Sequence, residues 1–509
     1  MPNSSHLNWL EISDWTPGVH TRNAGTMPHN ASQVMQDCYP LKEGGLRAFA
    51  DDGNIVTTGM DMSTGNQIIA IGGHFGIPHR TVSGLSQDRY VVKYDESDST
   101  IRLYRMDETN SDTTWSLMSF TFATNTAGSW SQSFLVPFVD AGGTRYMLLG
   151  LNYGGSGATG PGIYKIRYSD GAVTLIQVAK PTGLIVNQGR WLYAQEESSQ
   201  LFYSNVGDVG ATNQFLDVTP SGPGAVITAL AGTEPSDILV GKAGAPWVSI
   251  TGDISSPNTV VRELSGAHPA GRRPVVPTSV PGGMAFIADN GSIYITDGRN
   301  FDDVGKNVRW TQFDRLKLEP TGNGTVGMTA FIGDYLFLGA NLVRDMVTGA
   351  IFSILPNLAD NLDLWVADHT RGRIWGASLA EAADATMYEY QPVGDGVFRS
   401  PQCMWTSAPF VPKSGEDTRL REVEVYFQTH AASVNNMTVT RFDQNGANSV
   451  ARTGPTFAAN QHGKITFQFP NLGSAYQYIK IDWNTNGTQT EAATIERLRI
   501  GFAPGRGLG

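Results

Sequence analysis

Between about residue 88 and about residue 390 the chain repeats one unit: two short strands of alternating apolar residues joined by a polar or Gly/Asp turn, then a longer connection. Clear copies are Trp191-Leu192-Tyr193 with Leu201-Phe202-Tyr203, and Met284-Ala285-Phe286-Ile287 with Ser292-Ile293-Tyr294-Ile295. The others are Tyr90-Val91-Val92 with Ile101-Arg102-Leu103-Tyr104, Tyr146-Met147-Leu148-Leu149 with Ile163-Tyr164-Lys165-Ile166, and Ile238-Leu239-Val240 with Trp247-Val248-Ser249-Ile250. Tyr335-Leu336-Phe337-Leu338 is followed by Ala350-Ile351-Phe352-Ser353-Ile354, and Leu362-Asp363-Leu364-Trp365-Val366 by Arg373-Ile374-Trp375-Gly376. Most copies start about 45–55 residues apart, a spacing of radial repeats. The last lies closer to its predecessor, which leaves open whether the two share a sheet. A twisted four-stranded sheet cannot bury both faces alone, and radial stacking supplies that burial while closure protects the edges. The expected fold is therefore all-β: a β-propeller of 6–8 blades over 51–398. A string of β-sandwiches is the rival reading, and the steady spacing favours the ring.

The flanks read differently. Residues 1–50, with Trp15-Thr16-Pro17-Gly18, Met27-Pro28-His29-Asn30 and Tyr39-Pro40, are expected to be an extended N-terminal arm, because Pro17 and Pro40 disfavour helix in the residues before them and Gly44-Gly45 punctuates the end. This arm either packs on the propeller or also touches a neighbouring subunit. From 399 to 504 longer strands of clean period two appear: Leu420–Phe427, Met437–Phe442, Ile465–Phe469, Tyr478–Trp483 and Ile495–Ile500. They predict a C-terminal β-sandwich. In this segment basic residues outnumber acidic ones, so the rest of the chain carries the acidic excess. Residues 505–509 are expected to be a flexible tail. The one helix candidate is Leu379–Ala385.

A chain of 509 residues exceeds what one core organises, and its net charge of -11 opposes tight grip on a phosphate backbone while permitting an acidic passage through which DNA slides. Only Cys38 and Cys403 are present, which does not amount to a disulfide framework and leaves a bridge between them open. No apolar run is long enough to span a bilayer, and Met1-Pro2-Asn3-Ser4-Ser5 lacks the features of a secretion signal, so synthesis in the cytoplasm is expected.

Sites of chemistry are sparse. Gly155-Ser156-Gly157-Ala158-Thr159-Gly160 matches a dinucleotide glycine pattern as a string, but a strand follows it where a helix should receive the pyrophosphate. The nine His, at 6, 20, 29, 74, 79, 268, 369, 430 and 462, show no metal-ligand spacing. Asp297-Gly298-Arg299-Asn300-Phe301-Asp302-Asp303 clusters oxygen ligands without the alternation of a calcium loop, and reads as a solvated turn. Asp88, Asp237, Asp289, Asp334 and Asp363 sit in or near predicted strands and could meet as paired carboxylates, although turns alone explain aspartates. Arg272-Arg273 could contact an anion. Trp191, Trp247, Trp365, Trp375 and Trp483 fall inside strands and are expected in the core, while Trp310 is less clearly placed. No residue is assigned a catalytic, cofactor-binding or metal-binding role, and no cofactor is expected.

Three stretches carry a family likeness. Trp15-Thr16-Pro17-Gly18 with Asn30-Ala31 and Cys38–Arg47, then Gly189–Tyr193 with Gln200–Asp208, then Met404-Trp405-Thr406-Ser407-Ala408-Pro409-Phe410 resemble, in order, the arm, a blade and the propeller–sandwich junction of tailed-bacteriophage tail nozzle or tail hub virion proteins. Ala408 stands where that family usually has Lys. The resemblance implies a non-enzymatic structural protein of the virion tail: a homo-oligomeric ring, expected to be a homohexamer, that bounds the DNA ejection channel, lets genomic DNA pass non-specifically and joins portal or adaptor and other tail proteins. Two alternatives stand beside it. One is a host-surface glycan-binding minor tail protein, and the other a propeller-type polysaccharide-degrading enzyme with two close carboxylates.

Overall fold

The computed structural model describes residues 7–17, 31–49, 54–55, 60, 66–73, 89–95, 100–106, 115–123, 133–152, 161–218, 225–233, 237–267, 269–270, 275–288, 292–304, 327–328, 330–338, 342–354, 364–368, 372–377, 387–392, 400, 402–410, 419–430, 434–443, 449–469, 477–485 and 491–503. Every regular element among them is a strand, so the chain is all-β. The helix candidate Leu379–Ala385 lies outside these residues.

Seven four-stranded units follow one another. The first comprises Asn66–Gly73, Arg89–Asp95, Thr100–Met106 and Ser116–Ala123, and the second Ser133–Val139, Arg145–Leu151, Gly162–Arg167 and Val173–Val178. The third comprises Pro181–Asn187, Arg190–Gln195, Gln200–Tyr203 and Phe215–Asp217, and the fourth Ile227–Thr233, Asp237–Lys242, Ala245–Thr251 and Val260–Leu264. The fifth comprises Thr278–Val280, Gly283–Ile287, Ile293–Thr296 and Phe301–Asp303, and the sixth Ala330–Ile332, Tyr335–Leu338, Leu342–Asp345 and Ile351–Ser353. The seventh takes Leu364–Asp368, Arg373–Ala377 and Met387–Tyr390 from the end of the repeat region and its outer strand, Asn54–Ile55, from before the first sheet. The close spacing of the last sequence repeat is thereby explained: it forms its own sheet and needs fewer local residues because the N-terminal side supplies a strand. Tyr335–Leu338 pairs with Leu342–Asp345, a strand the sequence pattern missed, and Ile351–Ser353 is the outer strand.

Each sheet is covered on both faces by its neighbours, and the residue alternation shows how. Along Arg145–Leu151, Met147 and Leu149 join an apolar cluster shared with the first sheet, while Leu148 joins one shared with the third. Leu192 and Ala194 face the fourth sheet, whereas Trp191 and Tyr193 face the second. Further clusters join the fourth sheet to the fifth and the fifth to the sixth. Another joins the sixth to the seventh, and one joins Leu364, Trp375, Ala377 and Met387 of the seventh to Ile68, Ile71, Val91, Tyr104 and Met106 of the first. Full burial of each such side chain is worth about 1.5–3 kcal/mol, so the faces between sheets dominate stability. Hydrogen bonds knit the same boundaries. Arg190 spans the third and fourth sheets, its guanidinium donating to Ser204 O (2.9 Å) and Ser255 Oγ (2.9 Å), and Trp365 Nε1 of the seventh donates to Leu338 O of the sixth (2.9 Å). First strands of successive sheets touch one another, and Leu364–Asp368 touches Asn66–Gly73. Two short strands lie inside this series: Val275–Val276 pairs in parallel with Ile227–Thr233 of the fourth sheet, Gly327–Met328 pairs with Val275–Val276, and Gly327–Met328 also contacts Leu364–Asp368 of the seventh.

The C-terminal strands form two facing sheets completed by the N-terminal residues. Thr494–Ala503 pairs with Asn8–Ile12, Leu46–Ala48 and Arg419–Gln428, and the last of these with His462–Gln468. Opposite, Ser32–Gln36, Gln402–Ser407, Gln477–Thr485, Val434–Asp443 and Ser449–Thr453 follow in order, and Gln36 pairs with Ser353, joining this sheet to the sixth. Asp37, at a φ of 54°, turns the chain out of one sheet so that Cys38–Pro40 enters the other. One apolar cluster runs from Val425, Phe467, Ile481 and Leu498 to Phe337, Phe352 and Trp365, without a break between sandwich and repeats.

Candidate functional site

Two concavities among the described residues are lined by several polar groups. The first, a cleft of about 200 Å³, opens between the fourth and fifth sheets. Asp237 enters it at the start of the fourth sheet's second strand, Ser249 near the end of its third, and Thr296 and Asp297 where the fifth sheet's third strand turns into its fourth. Ser249 and Thr296 are buried, Asp237 is half-buried and Asp297 exposed. Backbone forms much of the floor. Gly283 holds a φ of 154°, and a Cβ there would lie 1.9 Å from Thr296 O, so only glycine fits. A Cβ on Gly298 would come 3.7 Å from Ser249 Oγ, which shows how closely the two sheets approach. Ile238, Leu239 and Met284, all buried, are the apolar components.

Asp297 is ordered by its own turn. Its Oδ1 accepts the N–H of Asn300 (2.7 Å) and of Arg299 (2.8 Å), and these donors hold the carboxyl below the usual carboxylate range. Asp253 of the fourth sheet is depressed in the same way by the N–H and hydroxyl of Ser255. Of the cluster Asp297–Asp303, the part up to Asn300 is a turn while Phe301–Asp303 is the fifth sheet's outer strand, and the turn's first carboxylate shares a cleft with Asp237. Sequence reading placed these two residues in separate hypotheses. Asp334 lies in an exposed turn elsewhere, and Asp88, Asp289, Asp363, Arg272-Arg273, Trp310 and the segment Gly155–Gly160 lie outside the described residues. His430 contacts Thr494 Oγ1 (2.8 Å) and Glu491 (3.6 Å), and His462 contacts Glu496 (3.0 Å); the remaining His lie outside the described residues. No group of three or more His, Cys, Asp or Glu able to hold a metal occurs among the described residues.

The second concavity lies on the sandwich's outer face and is lined by Gln36, Gln402, Met404, Asp482 and Asn484, together with the buried Cys403 and Trp483. The opposite outer face is internally paired. Arg499 lies over Trp9 (4.6 Å) and bonds Glu424 (3.0 Å), Arg497 lies over Tyr426 (4.1 Å), and Glu11 is within 4 Å of both arginines. Burial alone would raise the Glu424 carboxyl, but the Lys464 ammonium, Tyr426 and Arg499 outweigh it and lower it, whereas burial and Glu424 together raise Glu422. These contacts fasten Asn8–Ile12 to the sandwich.

No family model matches the chain, and no curated protein does. Solved structures similar to it include an exo-β-1,3-galactanase from Phanerochaete chrysosporium with β-1,3-galactotriose, 13% identical over 89% of this chain and 99% of that one, at a TM-score of 0.29. The β-propeller domain of Cps50 (Swd1) from Myceliophteria thermophila is 13% identical over 67% and 98%, at 0.42, and YCF48 from Cyanidioschyzon merolae is 11% identical over 67% and 98%, at 0.41. At these values the likeness carries no function to this chain.

The expected kinship is corrected. These structures are fungal and algal proteins and none is a bacteriophage tail component, so the tail nozzle or hub assignment is withdrawn. With it go the homohexameric ring, the portal and adaptor partners, the DNA ejection channel and the virion location. The expectation of a non-enzyme is withdrawn with them; a galactanase stands among the similar structures. The residues that suggested the kinship have structural duties. Gly45 N–H donates to Ser13 O in a turn where Gly44 and Gly45 hold φ of 100° and 104°. Ser204 Oγ accepts the Trp191 N–H while Trp191 Nε1 donates to Asp208 O, and Trp405 Nε1 donates to Ser32 Oγ while Ser407 Oγ accepts the Ile479 N–H. No helix of the described residues is long and apolar enough to cross a membrane.

Proposed function

We propose that this chain recognises carbohydrate in the cleft between its fourth and fifth sheets, carried on a closed seven-bladed β-propeller spanning 51–398, with the C-terminal sandwich of 399–504 completed by strands of the arm 1–50. Closure is supported by the apolar cluster and strand contacts between the seventh and first sheets and by the outer strand Asn54–Ile55, which comes from the other end of the series. The backbone of Val275–Val276 and Gly327–Met328 runs between the fourth and seventh sheets, so the axial space a propeller otherwise offers a ligand is bridged.

The observation that carries the functional reading is the composition of the cleft: two carboxylates, two hydroxyls and three glycines that put no side chain into about 200 Å³. Vicinal hydroxyls of a sugar donate to carboxylates and accept from hydroxyls and peptide N–H groups. Phosphate-bearing ligands are opposed by the carboxylates. The test is calorimetric titration of the full chain with a panel of neutral oligosaccharides, alongside Asp237→Asn and Asp297→Asn and an assay for released reducing ends. Binding by the parent and a loss of about tenfold or more in each variant is expected, since a hydrogen bond to a charged group contributes about 1.5–3 kcal/mol. No binding by the parent, or equal binding by both variants, overturns the reading; reducing ends released by the parent alone would add hydrolysis to it.

A further inference from the structure

We infer that the outer face of the sandwich carries a second saccharide site, separate from the inter-sheet cleft and independent of it. Its groove, of about 230 Å³, is built on three adjacent strands. Gln36, Met404 and Asp482 form one row across the strands, and Gln402 and Asn484 form the next. The residues between them point the other way: Cys403 and Trp483 are buried, with Trp483 Nε1 donating to Ala493 O (2.8 Å). Adjacent strands stand about 4.8 Å apart and same-face residues about 6.8 Å along a strand, so the groove is a small grid of three amides, a carboxylate and a thioether.

Each component fits a neutral polyhydroxylated ligand. The carboxamide oxygen of Asn484 is covered and accepts no hydrogen bond from any described residue, and a turn of its side chain toward the groove would let a ligand's donor satisfy it. Asp482 is a half-exposed acceptor held by Lys480 (2.9 Å), and Met404 is a half-buried apolar platform. Peptide recognition by strand addition is opposed because Gln402–Ser407 is paired on both sides, with Ser32–Gln36 and Gln477–Thr485. Phosphate-bearing chains are opposed by Asp482 and by the absence of a basic residue among the lining. A bound cation alone is not supported, since no cluster of three ligating side chains occurs among the described residues.

A methionine lines each site, Met404 the groove and Met284 the cleft, so one preparation reports on both. Full-length protein labelled with methyl-¹³C methionine, its two signals assigned by Met404→Leu and Met284→Leu, is titrated with short cello-, xylo- and galacto-oligosaccharides. The Met404 methyl should shift and saturate with at least one of them. Gln402→Ala, at an exposed position whose truncation leaves the fold intact, and Asn484→Ala should each weaken that titration about tenfold. Asp237→Asn should leave it unchanged. A Met404 signal that stays fixed across the panel, or one that titrates equally in both groove variants, overturns the second site. A titrating Met404 beside a fixed Met284 would leave this site standing and remove the inter-sheet cleft.

Discussion

Arg89 and Asp368 offer the sharpest test of how the seven sheets meet. Arg89 belongs to the second strand of the first sheet and Asp368 to the first strand of the seventh, and their side chains are 2% and 0% exposed with a guanidinium nitrogen 3.9 Å from a carboxylate oxygen. The guanidinium also lies 4.0 Å over the Trp375 ring and its Nη1 contacts Met106 Sδ at 3.4 Å. Two unit charges at that separation attract by about 4 kcal/mol at an effective dielectric constant of about 20. Their shared desolvation offsets most of this, but removing one member leaves the other buried without this counter-charge, at a cost of about 3–5 kcal/mol. Asp368→Asn should therefore destabilise by that amount. With an unfolding entropy of about 2.1 cal/mol/K per residue over 509 residues, the thermal midpoint should fall by about 3–5 °C. Arg89→Met in the same chain should recover much of the loss, because the buried guanidinium that lost its counter-charge is gone. The assay is a double-mutant cycle by calorimetry and urea unfolding, with a coupling of about 2 kcal/mol or more expected for a close pair. If Asp368→Asn costs the same with and without Arg89, the first and seventh sheets do not meet as described.

Three further outcomes are expected. Gly283→Ala should cost about 3 kcal/mol or more and lower the yield of folded protein, since its Cβ would overlap Thr296 O, whereas Gly244→Ala, at a φ of 68° with nothing within 4 Å, should cost about 1–2 kcal/mol. Lys464→Met should raise the Glu424 carboxyl toward its ordinary value in an NMR titration. Because the folded carboxyl is depressed, its contribution is present above an unfolded value of about 4.3 and lost as pH falls through the folded one, and the variant should show a shallower acid dependence of stability. The amide signals of Ser255 and Asn300 should stay constant through neutral pH and move only below about pH 3.9, where Asp253 and Asp297 protonate.

Strands with two buried faces were legible because their apolar residues run almost without interruption, and Trp191, Trp247, Trp365, Trp375 and Trp483 are all buried within them, as their positions imply. The sandwich strands were legible from their period of two. What escaped was short or polar: Leu342–Asp345 carries two charges in four residues, and Ser449–Thr453 is largely exposed, so neither shows a clear apolar period. The role of Asn54–Ile55 was invisible, since two residues have no periodicity and their partner lies at the far end of the repeats. The inter-sheet cleft was out of reach for a related reason. Asp237 and Asp297 each look like ordinary turn residues, and only the packing of one sheet on the next brings them to one opening. Gln36, Gln402 and Asn484 are likewise unremarkable until strand register aligns them.

Carbohydrate recognition between the fourth and fifth sheets would be decided by a crystal structure of the full chain soaked with whichever oligosaccharide of the panel binds most tightly. A pyranose in the cleft between the fourth and fifth sheets, its hydroxyls within hydrogen-bond distance of Asp237 and Asp297, is the predicted result. A well-occupied sugar that leaves that cleft untouched would contradict it.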